Sequence, residues 1–224
     1  MIRAADSTPA RTKELAVVLR AFQDPGSVSE NDPRNPGYYE PDNRQRLEDF
    51  IAKYPGTEEA LQAEVWLGYG EAVTQSINDF DARRRAREKR AERMKAIAAQ
   101  TTNGVTAKMA YLIRAGELFN ARDWPEYEKQ VAEIMVRIKE YESERNDQFL
   151  RFMKIFEVRP SELEPWLLRM LVIMECDQDR LDKARERAED LLRRFPEWSK
   201  REGIAGNIAQ LTKGKSPYPK MPPH

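Results

Sequence analysis

Histidine and cysteine are nearly absent from this chain. Its only histidine is His224 and its only cysteine is Cys176. That argues against a histidine general base, a Ser-His or Cys-His pair and a histidine-containing metal site. A single cysteine excludes an intrachain disulfide and a cysteine-pair zinc site. Cys176 sits in the apolar stretch Leu171-Val172-Ile173-Met174-Glu175-Cys176, where a small buried side chain is the expected role. No stretch approaches the ~20 apolar residues that span a bilayer. Met1-Ile2-Arg3-Ala4-Ala5-Asp6 has no apolar core of the signal-peptide kind, although Ala4-Ala5-Asp6 has the composition left behind by a cleaved leader. There is no glycine-rich phosphate loop, since Gly68-Tyr69-Gly70 lies inside a helical pattern with no strand before it. Neither sign of charge prevails: 38 Lys and Arg balance 38 Asp and Glu. No global field therefore draws in nucleic acid or an anionic membrane, and electrostatic recognition must come from local patches.

What the chain does have is charge of both signs and helical periodicity. Charged residues make up 34%, the hydrophobic set 40% and aromatics 9%, which is not the composition of a disordered chain. Leu15, Val18, Leu19 and Phe22 predict a first helix over 8–22, opened by Thr8-Pro9. Four prolines between Pro25 and Pro41 forbid a helix over 24–42 and predict a long loop, with Tyr38 and Tyr39 available to pin it. Asp42 is the expected cap of a helix to Tyr54, closed by Pro55-Gly56. Thr57-Glu58-Glu59 reads as the cap and acidic first turn of a central helix carrying Leu61, Val65, Leu67, Tyr69, Val73 and Ile77. A charged helix over 80–100 follows, ending at Thr101-Thr102-Asn103-Gly104, then a helix over 105–121. Asp123-Trp124-Pro125-Glu126 starts another, to about 142. A short helix around Phe149, Phe152, Met153 and Phe156 precedes an antiparallel pair, 162–177 and 180–195, and a last helix over 199–212. The tail Ser216-Pro217-Tyr218-Pro219-Lys220 with its further prolines predicts an extended end; its Pro-Tyr-Pro could serve as a ligand for a proline-binding domain, with a disordered end the favoured reading. No segment alternates with period 2, so no sheet is expected.

Two segments end alike. Asp49-Phe50-Ile51-Ala52-Lys53-Tyr54-Pro55 and Asp190-Leu191-Leu192-Arg193-Arg194-Phe195-Pro196 lie about four ~34-residue paired-helix periods apart. Within 165–196, Leu171, Asp179-Arg180-Leu181-Asp182-Lys183-Ala184 and Phe195-Pro196 resemble a tetratricopeptide repeat. Phe50 to Thr57, followed by Ala60, Ala63 and Trp66-Leu67-Gly68-Tyr69, is similar to repeats of bacterial envelope proteins of that family, the outer-membrane assembly lipoproteins and Tol-Pal-associated proteins among them. The resemblance covers about a third of the chain, and the middle repeats are irregular. It implies a small residue, Ala184, where two helices cross closely, a helix-closing Pro196, Gly68 as the small residue of a first helix, and Trp66 and Leu67 as packing residues. The implied fold is all-α, a right-handed superhelix of antiparallel pairs (a tetratricopeptide-like α-solenoid) with about nine or ten helices. The implied domain plan is an N-terminal helix over 1–23, the loop 24–42, a repeat domain over 43–213 and an extended tail over 214–224. The implied compartment is the bacterial periplasm or envelope if a leader has been removed, and the cytoplasm otherwise.

The implied activity is non-catalytic: holding a protein, a peptide or a second copy of the chain on the inner groove, without cofactor or metal. Glu162 and Glu164 read as first-turn helix acids, and Asp24, Glu30, Asp32, Glu40 and Asp42 lack calcium-loop spacing. An enzyme using only carboxylates, Tyr and Lys finds no support in the spacing. The candidate partner-binding residues are Arg83, Arg84, Arg87 and Arg90 of the basic run, with Trp66, Tyr69 and Tyr111. The alternative reading makes the 83–95 helix, which also holds Arg85, Lys89, Arg93 and Lys95, a basic groove for an anionic ligand such as RNA or a polyanionic glycan. Interleaved Asp79, Asp81, Glu88 and Glu92 favour a solvated face instead, and missing stacking aromatics argue against single-stranded nucleic acid. Trp66, Tyr69, Tyr111, Trp124 and Trp166 are expected as core or inter-repeat packing residues ahead of ligand platforms.

Overall fold

The computed structural model describes residues 4–23, 41–74, 80–155 and 158–220. Residues 24–40 of the expected loop, the end of the expected central helix at Ile77 and the lone histidine lie outside them. The described residues form twelve α-helices and one 3-10 turn, with no strand among them beyond a single Ala5–Thr57 bridge. The fold is all-α, and the chain divides into two compact units: Met1–Arg122 with Arg145–Ile155, and Asp123–Glu144 with Phe156–His224.

The first unit holds α1 (Pro9–Gln23), α2 (Pro41–Lys53), α3 (Glu58–Thr74), α4 (Phe80–Gln100), α5 (Gly104–Ala121) and α8 (Asp147–Ile155). Helix α2 begins at Pro41, in the first-turn position proline favours, so Asp42 lies within the first turn rather than capping it. The Thr57 hydroxyl accepts the Ala60 N–H at 3.3 Å, as its place before α3 predicts. Asn103 caps α5, its side chain accepting from Val105 and Thr106 at 2.9 and 3.2 Å. Helix α3 is central: it packs on α1, α2, α4 and α5, while α4 and α5 form the most extensive pair and α8 covers α5. Leu15, Leu19, Leu47, Trp66, Met94, Met109 and Phe149 are fully buried in this unit. A Cβ at Gly68 would lie 2.7 Å from the Met94 Cε of α4, so the flexible end of that side chain would have to shift to admit it.

Adjacent acids at the start of α3 tie distant segments to it. Glu58 accepts from the Thr101 hydroxyl and the Thr102 N–H, both at 2.5 Å, and from the Thr102 hydroxyl at 2.8 Å, fixing the turn between α4 and α5. Glu59 accepts from the Ser7 hydroxyl at 2.6 Å and the Thr8 N–H at 2.8 Å, and meets Arg11 Nε at 3.1 Å. It thus serves the N-terminus of α1 as a carboxylate supplied from another helix.

The second unit holds α6 (Trp124–Val136), α7 (Ile138–Glu142), the 3-10 turn Pro160–Glu162, α9 (Leu163–Asp177), α10 (Leu181–Arg194), α11 (Pro196–Arg201) and α12 (Ile204–Thr212). Asp123 caps α6 through the Glu126 N–H at 3.4 Å, with proline in the first turn. The single helix expected to run to about 142 breaks at Arg137, whose backbone leaves the helical region (φ −111°, ψ 16°). The last helix likewise becomes two: Pro196 opens α11, and Gly203, with φ of 69°, separates it from α12. Helices α9 and α10 form the expected pair, joined through Asp179 at φ 57°. Val172, Cys176, Ala184, Ala188, Leu191, Ile204 and Leu211 make the core of this unit, with α10 against α12.

Candidate functional site

The basic run lies on α4, and neighbouring acids take up much of its charge. Arg90 is only 4% exposed. Its Nε and Nη2 both donate to Glu117 Oε2 of α5, at 3.1 and 2.9 Å. Burial pushes the Glu117 carboxyl above its ordinary pKa, and Arg90 opposes that rise. Arg93 turns to α3, with Nε 3.1 Å from Glu64 and Nη1 3.8 Å from Glu71. Arg84 pairs with Glu88 one turn on, at 2.8 Å. Arg85, Lys89 and Lys95 are exposed, and Arg83 is partly so. Arg87 differs from all of these. It is half-buried, and burial lowers its pKa; Glu117 opposes that shift, while Arg90 and Arg83 reinforce it. Among the described residues it makes no hydrogen bond or ion pair.

The aromatic candidates do not join this surface. Trp66 is 0% exposed and Tyr69 is buried. Both rings meet Phe152 of α8 edge-on, with centroids at 6.2 and 5.9 Å, so they form core and reach a partner only if the unit opens. Tyr111 on α5 is partly exposed. Among the described residues, no group of three or more His, Cys, Asp or Glu side chains could hold a metal ion, and no helix is long and apolar enough to cross a membrane. The Cys176 thiol is buried and raised in pKa by that burial, with the Ser216 hydroxyl pulling the other way.

A second arrangement belongs to the C-terminal unit. After α12 the chain turns at Gly214, with φ of 66°, and residues 215–220 continue without helix, with Ser216, Pro217 and Tyr218 partly buried and Lys215, Pro219 and Lys220 exposed. Tyr218 is the anchor. Its ring packs on the cluster that contains Val172, Cys176 and Ile204. Its hydroxyl accepts from Asn207 Nδ2 of α12 at 2.8 Å. Burial raises the phenol pKa, while Arg169 of α9 and Asn207 hold it back. Arg169 is itself positioned by Glu202, at 2.7 Å. The Ser216 hydroxyl donates to the Tyr218 carbonyl at 2.8 Å and accepts the Tyr218 N–H at 3.2 Å, setting the local bend. Lys220 Nζ reaches Asp179 Oδ2 at 2.5 Å, at the turn between α9 and α10. The Arg180 N–H closes that turn by donating to the Glu175 carbonyl at 2.9 Å, and the Glu175 carboxylate lies 2.9 Å from Arg187 Nε of α10.

Sequence reasoning missed this seat. Its residues, Arg169, Asn207, Asp179 and Tyr218, are scattered and individually ordinary. The one available signal was an aromatic residue placed between two prolines in an otherwise polar tail. Comparison with protein-family models, with curated proteins and with solved structures finds no match to this chain.

Proposed function

We propose that the chain is a non-catalytic interaction scaffold, built from antiparallel helix pairs of the tetratricopeptide-like, right-handed superhelical kind, that holds protein or peptide segments. One observation carries this reading: the C-terminal unit already holds a non-helical, proline-flanked tyrosine segment, bent at Pro217-Tyr218, with its aromatic ring against the core formed with α9 and α12. A segment with two fixed proline φ angles loses little entropy on docking, and here an aromatic anchor and a few polar contacts hold it. The test is selection of displayed peptides against the full chain carrying Tyr218→Ala, followed by hydrogen exchange. Selected peptides protect amides of α9 and α12. If none protects those helices, the reading fails.

A second reading has its own observation. Half-buried Arg87, between Arg83 and Arg90 on one face of α4, suits a small anionic group on a ligand. Binding of a polyanion such as heparin then falls steeply between ~50 and ~200 mM salt and is lost in Arg87→Glu, as phosphate-type recognition requires. Salt-independent binding, or binding unchanged in Arg87→Glu, removes this reading.

A further inference from the structure

We propose that the seat across α9 and α12 takes, in trans, a non-helical peptide from another protein that carries a proline-flanked tyrosine with a cation two residues on, and that residues 215–220 of this chain are a tethered competitor for it. The inference rests on the scaffold reading and names the ligand class and its control.

The chemistry of the seat defines the ligand. The ring position is apolar, so an aromatic is required, and Asn207 with nearby Arg169 supplies donors at the ring's far end. Tyrosine satisfies both demands, whereas phenylalanine leaves the donors facing carbon. Pro217 and Pro219 need no backbone N–H partner, and they fix φ on either side of Tyr218. The cation is the weaker element. Lys220 and Asp179 are 61% and 65% exposed, so this pair adds little affinity and sets direction along the seat.

The way the tail is held makes it displaceable. Among the described residues, no backbone–backbone hydrogen bond joins 216–220 to the helices, and the last such bonds run from Gly214 to Leu211 and from Lys215 to Gln210. Side chains alone keep the segment in place, so an incoming peptide exchanges like for like without breaking a helix. The tether is short, and its effective concentration is on the order of millimolar. A free ligand must therefore outcompete a locally concentrated one, and the intact chain binds it at least roughly tenfold more weakly than a chain with its tail released.

The experiment uses a fluorescein-labelled Gly-Lys-Ser-Pro-Tyr-Pro-Lys peptide, titrated by anisotropy into the full chain and into the full chain with Tyr218→Ala. The variant binds saturably, and the parent chain binds at least tenfold more weakly. Tyr218→Phe keeps the ring and the packing but loses the Asn207 bond, and it gives intermediate affinity even if the alanine variant folds poorly. A peptide with Ala for Tyr does not bind, and one with Glu for the final Lys binds about two- to threefold more weakly. Equal affinity for parent and variant overturns the competitor, while leaving the scaffold reading intact. No binding of this peptide to either variant, when selected peptides do protect α9 and α12, overturns the ligand class. Concentration-dependent dimerisation of the parent chain that disappears in Tyr218→Ala overturns the proposal by naming a second copy's tail as the occupant. Failure of every selected peptide to protect α9 and α12 is the separate failure of the scaffold reading.

Discussion

Replacing Glu59 by glutamine probes how the first helix is held, and the structure sets the size of the effect. The carboxylate is buried, which alone would raise its pKa. Hydrogen bonds from Ser7, from the Thr8 and Glu59 backbone N–H groups and from Arg11 outweigh that cost and lower it from 4.5 to about 2. A folded pKa below the unfolded one means that the unfolded chain binds more protons between the two values. The contribution is therefore complete above about pH 5 and is lost as pH falls through about 2. At ~1.4 kcal/mol per pKa unit the ceiling is about 3 kcal/mol. The amide of the variant keeps an acceptor for the Thr8 N–H but loses the charge that Arg11 and the start of α1 call for. Urea melts of parent and Glu59→Gln should differ by roughly 2–3 kcal/mol at pH 7 and by under ~1 kcal/mol near pH 2. Other carboxylates titrate alike in both proteins and cancel in the difference. Hydrogen exchange of α1 amides should accelerate in the variant at neutral pH. A gap that stays constant between pH 7 and pH 2, or no gap at pH 7, refutes the charge-based account of Glu59.

Arg90→Ala should cost roughly 3–5 kcal/mol in urea melts, because it strands the buried Glu117 carboxylate, while Arg90→Met with Glu117→Leu should lie within ~1–2 kcal/mol of the parent. A mild single variant, or a double variant worse than the single, contradicts a buried pair whose main cost is desolvation. Two glycines near the C-terminus should respond with opposite signs: Gly203→Ala, at φ 69°, loses about 1 kcal/mol, and Gly206→Ala, inside α12 with open space at its Cβ, gains roughly 0.5–1 kcal/mol. Thermal melts of the two variants shifting in the same direction would remove the argument.

How much of this was legible in the sequence depended on the range of the physics involved. Starts of helices are local, and Thr57 and the Asp123-Trp124-Pro125 run marked theirs, whereas Asn103, read only as part of the end of α4, is the cap of α5. Breaks were harder. Arg137 carries no breaker chemistry, and Gly203 reads as one residue of a periodic stretch until its positive φ is seen. The site was less legible than the fold. Within the basic run, Arg90 is chemically identical to Arg84, and only Glu117, 27 positions away on α5, separates a buried internal pair from a surface charge. Glu59 looked like a first-turn acid of its own helix, yet it serves the N-terminus of another. The tail was expected to be an extended, disordered end, with Pro-Tyr-Pro weighed only as a ligand for another protein, because proline composition says nothing about where Tyr218 finds apolar company in its own chain.

The two candidate surfaces also differ in what they need before they can bind, and that governs how partners must be sought. The α4 surface is open as the chain stands, with Arg85, Lys89 and Lys95 in solvent and Arg87 half-buried. A capture experiment with the native chain at low and moderate salt samples this surface, and changing Arg83, Arg84 and Arg87 to Glu removes what it holds. Arg90 is left unchanged in that bait, because reversing it would place two carboxylates together in a buried site. The seat across α9 and α12 is filled by the chain's own tail, so the same experiment is nearly blind to it. A bait carrying Tyr218→Ala should therefore retain partners that the native bait misses, and these should survive both the salt step and the charge reversal on α4. If the opened bait captures nothing further, or if its additional partners disappear with the α4 reversal, the seat is not an independent binding surface and the tail is simply part of the C-terminal core.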